Sequence, residues 1–238
     1  QDRSSAASDV YKRQVWDART GKLLHSFYGP YSAPRHLEFS PDGRHFLTGT
    51  ARSVAELRSA QSGKIVHSFE AGESIFRQAV FDHAGTRVVT ATESGVVSLW
   101  TTSGEKLASR QIGHPVSHID IRGDDEAVAV ALKEAGVRVL SLSDLKTIQT
   151  VRRVAETVAF GPDDDRLLLG RASGRSQSSV RPDSTVLLEA ETGLRLATIT
   201  RRPSREILLS PDTKLALTRP MFWAVSYTHL RAHETSGY

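Results

Sequence analysis

Apolar residues along the chain occur in short alternating runs that are separated by turn-forming residues. Between Arg35 and Phe69 the runs are HLEFS, HFLTGT, VAELRS and IVHSF, and PDG and AQSGK lie between them. Such alternation over five or six residues, bounded by glycine and proline, is typical of β-strands. No segment with helical periodicity is long enough to cover a parallel sheet. The pattern therefore predicts an all-β chain of short antiparallel strands.

The four-strand pattern repeats along the sequence. Gly21, Gly63 and Gly104 lie within similar sequence phrases and are 42 and 41 residues apart. The apolar residue that closes the first strand recurs with spacings of 42, 40, 39 and 49 residues, at Phe39, Phe81, Ile121, Phe160 and Leu209. A period of this length indicates one supersecondary unit copied along the chain. The longest spacing indicates an insertion in one copy.

These residues resemble the WD40 repeat family. The turn SPDG follows the first strand, and Trp16-Asp17 is the only complete WD dipeptide. The pairs taken as equivalent to it are Leu57-Arg58, Trp100-Thr101, Leu140-Ser141 and Leu188-Glu189. The resemblance implies a β-propeller of four-stranded antiparallel blades, with about four complete blades and two partial ones. The implied pieces are about 15–28, 35–69, 76–111, 116–151, 155–199 and 205–223. Because the family's histidine, serine or threonine, aspartate and tryptophan do not occur together in any copy, we expect its polar network to be incomplete.

The two ends do not follow the repeat. Residues 1–14 include SSAASDVYKRQ and residues 224–238 include VSYTHLRAHET, and both resemble translated sequencing-adapter sequence. We therefore expect the propeller to cover residues 15–223 and the tails to be non-native. The pattern begins with the third strand of one repeat and ends after the second strand of another. The two end pieces could therefore form one composite four-stranded blade. We nevertheless favour an internal piece of a larger propeller, with seven blades.

Composition and motifs give no support for catalysis. The chain of 238 residues is 39% hydrophobic and 24% charged, and it has no cysteine, which excludes disulfides and thiolate chemistry. P-loop, GxGxxG and GxSxG motifs are absent, and neither Ser173 nor Ser176 lies in a nucleophile elbow. We therefore expect a non-enzymatic protein without cofactor, metal or small-molecule substrate. No apolar run is long enough to span a membrane.

Several polar residues could suggest a metal site. His25 and His67 hold the same place in two repeats, and we interpret them as a repeated structural position on the outermost strand. His114 and His118 have the i, i+4 spacing of a helical zinc site but lie across a loop and a strand. The three aspartates at 163–165 could bind calcium through their carboxylates. They lie where other copies have a PDG turn, so we interpret them as a solvated turn.

Arginines are concentrated in the loops of the C-terminal half. Residues 15–140 carry 14 basic and 14 acidic residues, whereas 141–223 carry 13 and 10. In the WD40 topology the loops after the second and fourth strands open on one face. That face would carry Arg152, Arg153, Arg171, Arg175, Arg181, Arg201, Arg202 and Arg205. Arginine forks suit carboxylate or phosphate groups, so this face could bind an acidic or phosphorylated protein segment. The alternative interpretation is a solvated surface without a partner.

The resemblance and the missing catalytic motifs together predict a scaffold for protein–protein interaction. A nucleic-acid partner is disfavoured because the net charge is only +4 and few aromatic residues lie among the arginines. The alternative function is a propeller domain within a larger enzyme, such as a bacterial kinase or protease with WD repeats or a quinoprotein-like dehydrogenase.

Overall fold

The computed structural model is built entirely from β-strands in the part of the chain that it describes. The described residues are 12–28, 36–49, 54–70, 72, 74–170, 185–200, 204–209, 215–220 and 226–229, and none of them is helical. The chain divides into two compact units, an N-terminal unit of residues 1–116 and a C-terminal unit of residues 117–238.

The N-terminal unit contains a two-stranded sheet followed by two four-stranded sheets, all antiparallel. The first sheet consists of β1 (Lys12–Trp16) and β2 (Leu23–Tyr28). The second consists of β3 (Leu37–Phe39), β4 (His45–Gly49), β5 (Val54–Ser59) and β6 (Ile65–Glu70). The third consists of β7 (Phe76–Phe81), β8 (Arg87–Thr92), β9 (Val96–Thr101) and β10 (Lys106–Gln111).

The C-terminal unit contains two four-stranded sheets and one three-stranded sheet, with neighbouring strands in sequence also neighbours in the sheet. The first sheet, which starts at the unit boundary, consists of β11 (Val116–Ile121), β12 (Ala127–Leu132), β13 (Gly136–Ser141) and β14 (Thr147–Val151). The second consists of β15 (Thr157–Phe160), β16 (Arg166–Gly170), β17 (Thr185–Glu189) and β18 (Arg195–Thr200). The third consists of β19 (Ser204–Leu209), β20 (Leu215–Pro220) and β21 (Ser226–His229).

The prediction of an all-β chain with four-stranded antiparallel sheets is confirmed for the described residues. Strand pairing also extends into both tails that were excluded from the fold prediction. β1 begins at Lys12, and β21 pairs with β20 from Ser226 to His229. β21 thus occupies the edge of β20 that a composite sheet with β1 would have used, and among the described strands β1 pairs only with β2.

The turn between the third and fourth strands explains the regular spacing of glycine. Gly21 and Gly63 both have a φ of 67°, in the left-handed region where a residue without Cβ has no steric cost. The Gly21 N–H donates to the Asp17 carbonyl, and the Gly63 N–H donates to the Ser59 carbonyl, each at 2.8 Å. Leu145 takes this place in a later repeat with a φ of 56°. The glycine at this place therefore reflects a left-handed backbone conformation that the turn requires.

Strand register corrects one of the equivalences drawn from the sequence. Arg58 pairs with Ile65 in the same way that Trp16 pairs with Leu23. The pair equivalent to Trp16-Asp17 is therefore Arg58-Ser59, one residue later than the predicted Leu57-Arg58. Strand pairing thus places Arg58, and not the apolar Leu57, at the position of Trp16.

Arg58 is buried at the tryptophan position because it has a complete set of partners. Its Nε and Nη2 donate to Glu56 Oε2 at 3.0 and 2.8 Å, and its Nη1 donates to the Gly63 carbonyl at 2.8 Å. Arg58 and Glu56 are each only 8% exposed. A buried charge is tolerated only when it is paired and hydrogen-bonded, as it is here.

Trp100 keeps one link of the polar network that the WD40 resemblance implies. Its indole Nε1 donates to Thr90 Oγ1 at 2.9 Å, and both residues are buried. The indole ring also contacts the ring of Phe69, at 5.5 Å between centroids. Lys106 Nζ lies 4.4 Å from the centre of the same ring. Trp100 therefore joins its own sheet to the preceding one.

Within each unit, the first strand of a sheet packs against the second strand of the preceding sheet. β7 lies against β4 and β5, β15 lies against β12, and β19 lies against β15 and β16. In the N-terminal unit one apolar cluster joins the two complete sheets, with members Leu47, Ala55, Leu57, Phe69, Phe76, Ala79, Phe81, Val88 and Trp100. A corresponding cluster in the C-terminal unit joins β12, β13 and β14 to β15, β16 and β17. Within each unit, these neighbouring sheets thus bury each other's apolar residues.

The outermost strand of a sheet also contacts the next sheet in its unit. His25 of β2 hydrogen-bonds through Nε2 to the Gln61 carbonyl, and Gln149 of β14 donates from Nε2 to the Glu191 carbonyl at 2.7 Å. An added Cβ on Gly104 would overlap the ring of His67 in β6. In all three places, the side chain reaches the turn that precedes the next outermost strand.

Each of the five described outermost strands contains a β-bulge at the same register position. The bulge leaves one residue without a cross-strand partner. That residue is a large aliphatic side chain between 44% and 58% exposed, namely Leu24, Val66, Leu107, Ile148 or Leu196. A bulge disturbs the hydrogen-bonding edge of a strand and hinders addition of another strand there.

The two tryptophans at equivalent positions allow a matched test of this packing. We expect Trp100→Phe to lower the free energy of unfolding by about 2 kcal/mol, because it removes a buried hydrogen bond and part of a buried ring. Trp16, which is 52% exposed, is the control. Trp16→Phe should change stability by less than about 0.5 kcal/mol. Urea unfolding measures both, and equal losses would contradict the assignment of Trp100 as a link between sheets.

Candidate interaction face

Arg152 and Arg153 lie in the connection between β14 and β15, and both are exposed. In an antiparallel sheet, the turn after the second strand and the connection after the fourth strand lie at the same end. The turn between β12 and β13, residues 133–135, therefore lies at the end that carries these arginines. We call this end of the β11–β14 sheet the arginine end.

Gly136 fixes how closely the two segments of the arginine end approach each other. Its φ is 86°, and an added Cβ would overlap the Val151 carbonyl oxygen and lie 3.3 Å from the Arg153 nitrogen. The turn backbone thus contacts the backbone that bears the arginine pair. Lys133, in the same turn, is exposed and adds a third positive charge, whereas exposed Glu134 adds a negative one. The arrangement holds two exposed guanidinium groups on a tightly packed backbone.

The same arrangement occurs in the N-terminal unit without the arginines. Gly95 also has a φ of 86°, and an added Cβ there would overlap the His114 carbonyl oxygen. The Ile112 N–H donates to the Gly95 carbonyl at 2.8 Å. The same backbone contact therefore occurs in two described copies of the repeat, and of these two only the copy at Gly136 carries an arginine pair.

The remaining predicted arginines cannot be placed at side-chain level. Arg171, Arg175, Arg181, Arg201 and Arg202 lie outside the described residues, and Arg205 lies in β19, where only the strand itself is described. Arg152 and Arg153 are therefore the two members of the predicted set whose exposure is known. Whether the eight arginines share one face stays a prediction.

The opposite ends of the two four-stranded sheets in the C-terminal unit are predominantly acidic. Their turns carry Asp124, Asp125, Glu126, Asp144, Asp163, Asp164, Asp165 and Glu191, against Arg122, Lys146 and Arg166. Arg122 donates from Nε to Asp124 Oδ1 at 2.9 Å and from Nη2 to Oδ2 at 2.6 Å. This fork lowers the pKa of the Asp124 carboxyl below its ordinary value of 3.8, and the carboxyl in turn raises the pKa of Arg122. The acidic residues are visible in the sequence, but their location at one end follows from the antiparallel strand order.

The run at 163–165 has a structural role that the sequence analysis missed. The Gly123 N–H donates to Asp164 Oδ1 at 2.6 Å, so Asp164 joins its turn to the turn of the preceding sheet. Asp163 and Asp165 are exposed, as a solvated turn would predict. Asp164 itself has a left-handed φ of 58° in this turn.

The histidines are placed on the elements that the sequence predicted. His25 and His67 lie at equivalent register positions in β2 and β6, opposite Val15 and Leu57. His114 is exposed in a loop, and His118 is partly buried in β11. Among the described residues, no group of three or more histidines, aspartates or glutamates is arranged to hold a metal ion.

No described helix is long and apolar enough to cross a membrane.

Comparison with known proteins assigns no family: neither a scan of protein-family models nor a search of curated proteins finds a match to the chain.

Gly136 provides a direct test of the arginine end. We expect Gly136→Ala to destabilise the fold by about 3 kcal/mol or more, because it combines a left-handed backbone with a steric overlap. Gly43→Ala is the matched control, since Gly43 has a φ of 68° but nothing within 4 Å of an added Cβ. It should cost about 1–2 kcal/mol, from the backbone conformation alone. Equal losses in urea unfolding would show that the close approach at Gly136 does not constrain the fold.

The Arg122–Asp124 fork should make stability depend on pH. Because the folded pKa of Asp124 is depressed, its stabilising effect is present above the ordinary value of 3.8 and is lost as pH falls through the folded value. We expect Asp124→Asn to cost about 0.5–1 kcal/mol at neutral pH, as for a partly exposed ion pair. This difference from the unmodified protein should disappear in strong acid. Glu191→Gln, at another exposed acid of the same unit, is the control, and a cost for Asp124→Asn that persists in acid would exclude the ion pair as its cause.

Proposed function

We propose that this chain is a non-enzymatic, WD40-like propeller scaffold that binds a protein partner through the arginine end. The partner chemistry that fits this end is an acidic or phosphorylated segment. The observation that carries the proposal is the exposed Arg152–Arg153 pair on a backbone held by Gly136.

Repetition of the sheets supports the propeller part of the proposal. Each complete sheet has the same strand order and the same bulge in its outermost strand, and three of the four share the same third-to-fourth turn. Successive sheets of one unit pack face to face through the first strand of the later sheet. Radial repetition of four-stranded sheets that pack in this way is how a propeller buries its apolar faces.

The chemistry of the arginine pair supports an anionic partner. A guanidinium group presents a planar fork of donors that matches carboxylate and phosphate oxygens, and it stays charged at any pH at which the protein is folded. The close contact at Gly136 restricts the backbone of the pair before binding. Such restriction lowers the ordering cost that a flexible loop would pay.

The surrounding residues favour a protein partner over nucleic acid. Single-stranded nucleic acid is bound by exposed aromatic rings that stack on bases and by a strongly basic groove. In the described part of the C-terminal unit, the one phenylalanine, Phe160, is partly buried in an apolar cluster. The net charge of the whole chain is only +4. An extended acidic or phosphorylated peptide requires only the guanidinium groups.

Binding of acidic peptides to the purified full chain tests the proposal. The probes are a glutamate-rich peptide and the same peptide with one phosphoserine, measured by fluorescence anisotropy at low and physiological ionic strength. We expect Arg152→Ala with Arg153→Ala to weaken binding by about tenfold, which corresponds to the loss of two partly screened charge-assisted contacts. The double variant should also show a smaller dependence on salt.

The control is Arg110→Ala with Arg195→Ala, which removes two exposed arginines from the strands β10 and β18 and changes the net charge by the same amount. This variant should bind as the unmodified protein does. Equal weakening in both double variants would mean that net charge alone drives binding, and the arginine end would then have no special role. A preference for the phosphorylated probe would identify phosphate as the recognised group.

A further inference from the structure

Asp42 and Gly43 form the only Asp-Gly pair in the chain. They lie in the turn between β3 and β4, and both are exposed. An aspartyl side chain that precedes glycine can react with the next main-chain nitrogen, because glycine has no side chain to hinder that nitrogen. The chain has no asparagine, whose side chain undergoes the same cyclisation. This pair is therefore the position in the sequence at which such a reaction meets the least steric hindrance.

The reaction changes the course of the main chain in two steps, and water is its only co-reactant. The Gly43 nitrogen forms a bond to Asp42 Cγ, and the hydroxyl of the acid leaves as water with the proton of that nitrogen. The product is a five-membered succinimide. Addition of water to the former main-chain carbonyl carbon breaks its bond to nitrogen and reopens the ring. The main chain then passes through the side-chain Cγ, and residue 42 has become isoaspartate.

The native turn engages both reacting groups in other hydrogen bonds. The Gly43 N–H donates to the Ser40 carbonyl at 2.8 Å. Asp42 Oδ1 accepts from Ser40 Oγ at 2.5 Å and from the Arg44 N–H at 3.0 Å. Cyclisation requires the carboxyl group to leave both donors and the Gly43 nitrogen to leave the Ser40 carbonyl. The turn must therefore open before the ring can form.

The same hydrogen bonds keep the carboxyl group in its less reactive form. They lower the pKa of Asp42 below its ordinary value of 3.8, with the Ser40 hydroxyl as the main cause and the Arg44 N–H as the second. A carboxylate is a poorer target for a nucleophile than the neutral acid, because it carries negative charge and has no hydroxyl to lose. The folded turn therefore disfavours the reaction through charge as well as through geometry.

The turn is also held by the rest of its hairpin and by the next sheet. The Ser40 N–H donates to the His45 carbonyl at 2.9 Å and closes the hairpin. Pro41 has a φ that is fixed by its ring. A Cβ added to Gly85, in the corresponding turn of the next sheet, would lie 3.4 Å from Pro41 Cδ, which is van der Waals contact. Opening of the turn breaks these contacts together.

We propose that Asp42 is a site of isoaspartate formation that the native turn keeps unreactive, so that modification takes place through local opening of the turn between β3 and β4. The rate of modification is then the rate in the open chain multiplied by the fraction of molecules in which this turn is open.

Modification should prevent the turn from closing again. Isoaspartate adds one carbon to the main chain between Ser40 and His45, whose hydrogen bond closes the hairpin. The Phe39–Phe46 pair lies directly beyond this bond. We therefore expect modified molecules to unfold at a lower urea concentration than unmodified ones, and refolding should not restore the difference. An unchanged midpoint would show that the native turn tolerates the added carbon.

The rate of isoaspartate formation in the full chain tests the protection. It is measured by fragment mass spectrometry for the native chain, the chain unfolded in urea and a peptide spanning residues 36–49. We expect the unfolded chain and the peptide to react at similar rates, and the native chain to react at least about tenfold more slowly. Asp42→Glu is the chemical control, since its longer side chain would have to form a six-membered ring, and it should give no product. A native chain that reacts as fast as the peptide, or an unfolded chain without isoaspartate at residue 42, would overturn the proposal.

Ser40→Ala tests whether opening of this turn is the controlling step. It removes the hydroxyl donor to Asp42 and keeps the main-chain carbonyl, so we expect the native rate to rise about fivefold, the factor for loss of one hydrogen bond. Ser62→Ala is the matched control, because the Ser62 hydroxyl accepts from the Lys64 N–H in the turn between β5 and β6. It should react at the unmodified rate.

Urea unfolding of the same two variants separates local from global opening. It gives the fraction of molecules that are globally unfolded under native conditions. We expect the rate increase in Ser40→Ala to exceed the increase in that fraction. An increase that matches it would show that unfolding of the whole molecule, and not opening of this turn, exposes the Asp42–Gly43 pair. Equal rates in Ser40→Ala and the unmodified protein would exclude the hydroxyl as the group that holds the turn closed.

Discussion

Within each unit, the fold depends on the burial of the first strand of a sheet by the sheet before it. Ala79 and Phe81 are buried in one apolar cluster with Leu47 and Leu57 of the preceding sheet. The same relation joins β15 to β12 and β13 in the other unit. A single sheet of this repeat has an apolar face that it cannot cover by itself, so its stability comes from its neighbours in the manner of repeat proteins.

Much of the local structure could be predicted because each repeat carries its own strand and turn signals. The segment from Arg35 to Phe69 gave its four strands from alternation and turn residues alone. The register of Arg58 could not be predicted in this way, because its burial depends on Glu56 and on the Gly63 carbonyl. The polarity of its side chain predicts an exposed position for Arg58, whereas it is buried. Only the hydrogen-bond geometry shows that it substitutes for tryptophan inside the sheet.

The arginine end could be predicted in part. Sequence and topology indicated that Arg152 and Arg153 lie at a loop end, and both are exposed there. The contact of Gly136 with the backbone of Val151 and Arg153 was not apparent, because sequence does not show which turns touch. The acidic turns at the opposite end were visible as residues, but their common location depends on the antiparallel strand order. Charge separation along the sheets is thus a property that only the fold reveals.

The contacts between outermost strands and neighbouring turns have a consequence for how these repeats change over evolution. His25 and Gln149 each bond to a main-chain carbonyl, which every residue type provides. The residue that accepts the bond can therefore be replaced without loss of the contact, and so can much of its turn. Copies joined in this way can diverge until no shared motif remains while their geometry persists. This tolerance allows the repeat period to stay regular in a chain whose residues at equivalent positions differ from copy to copy.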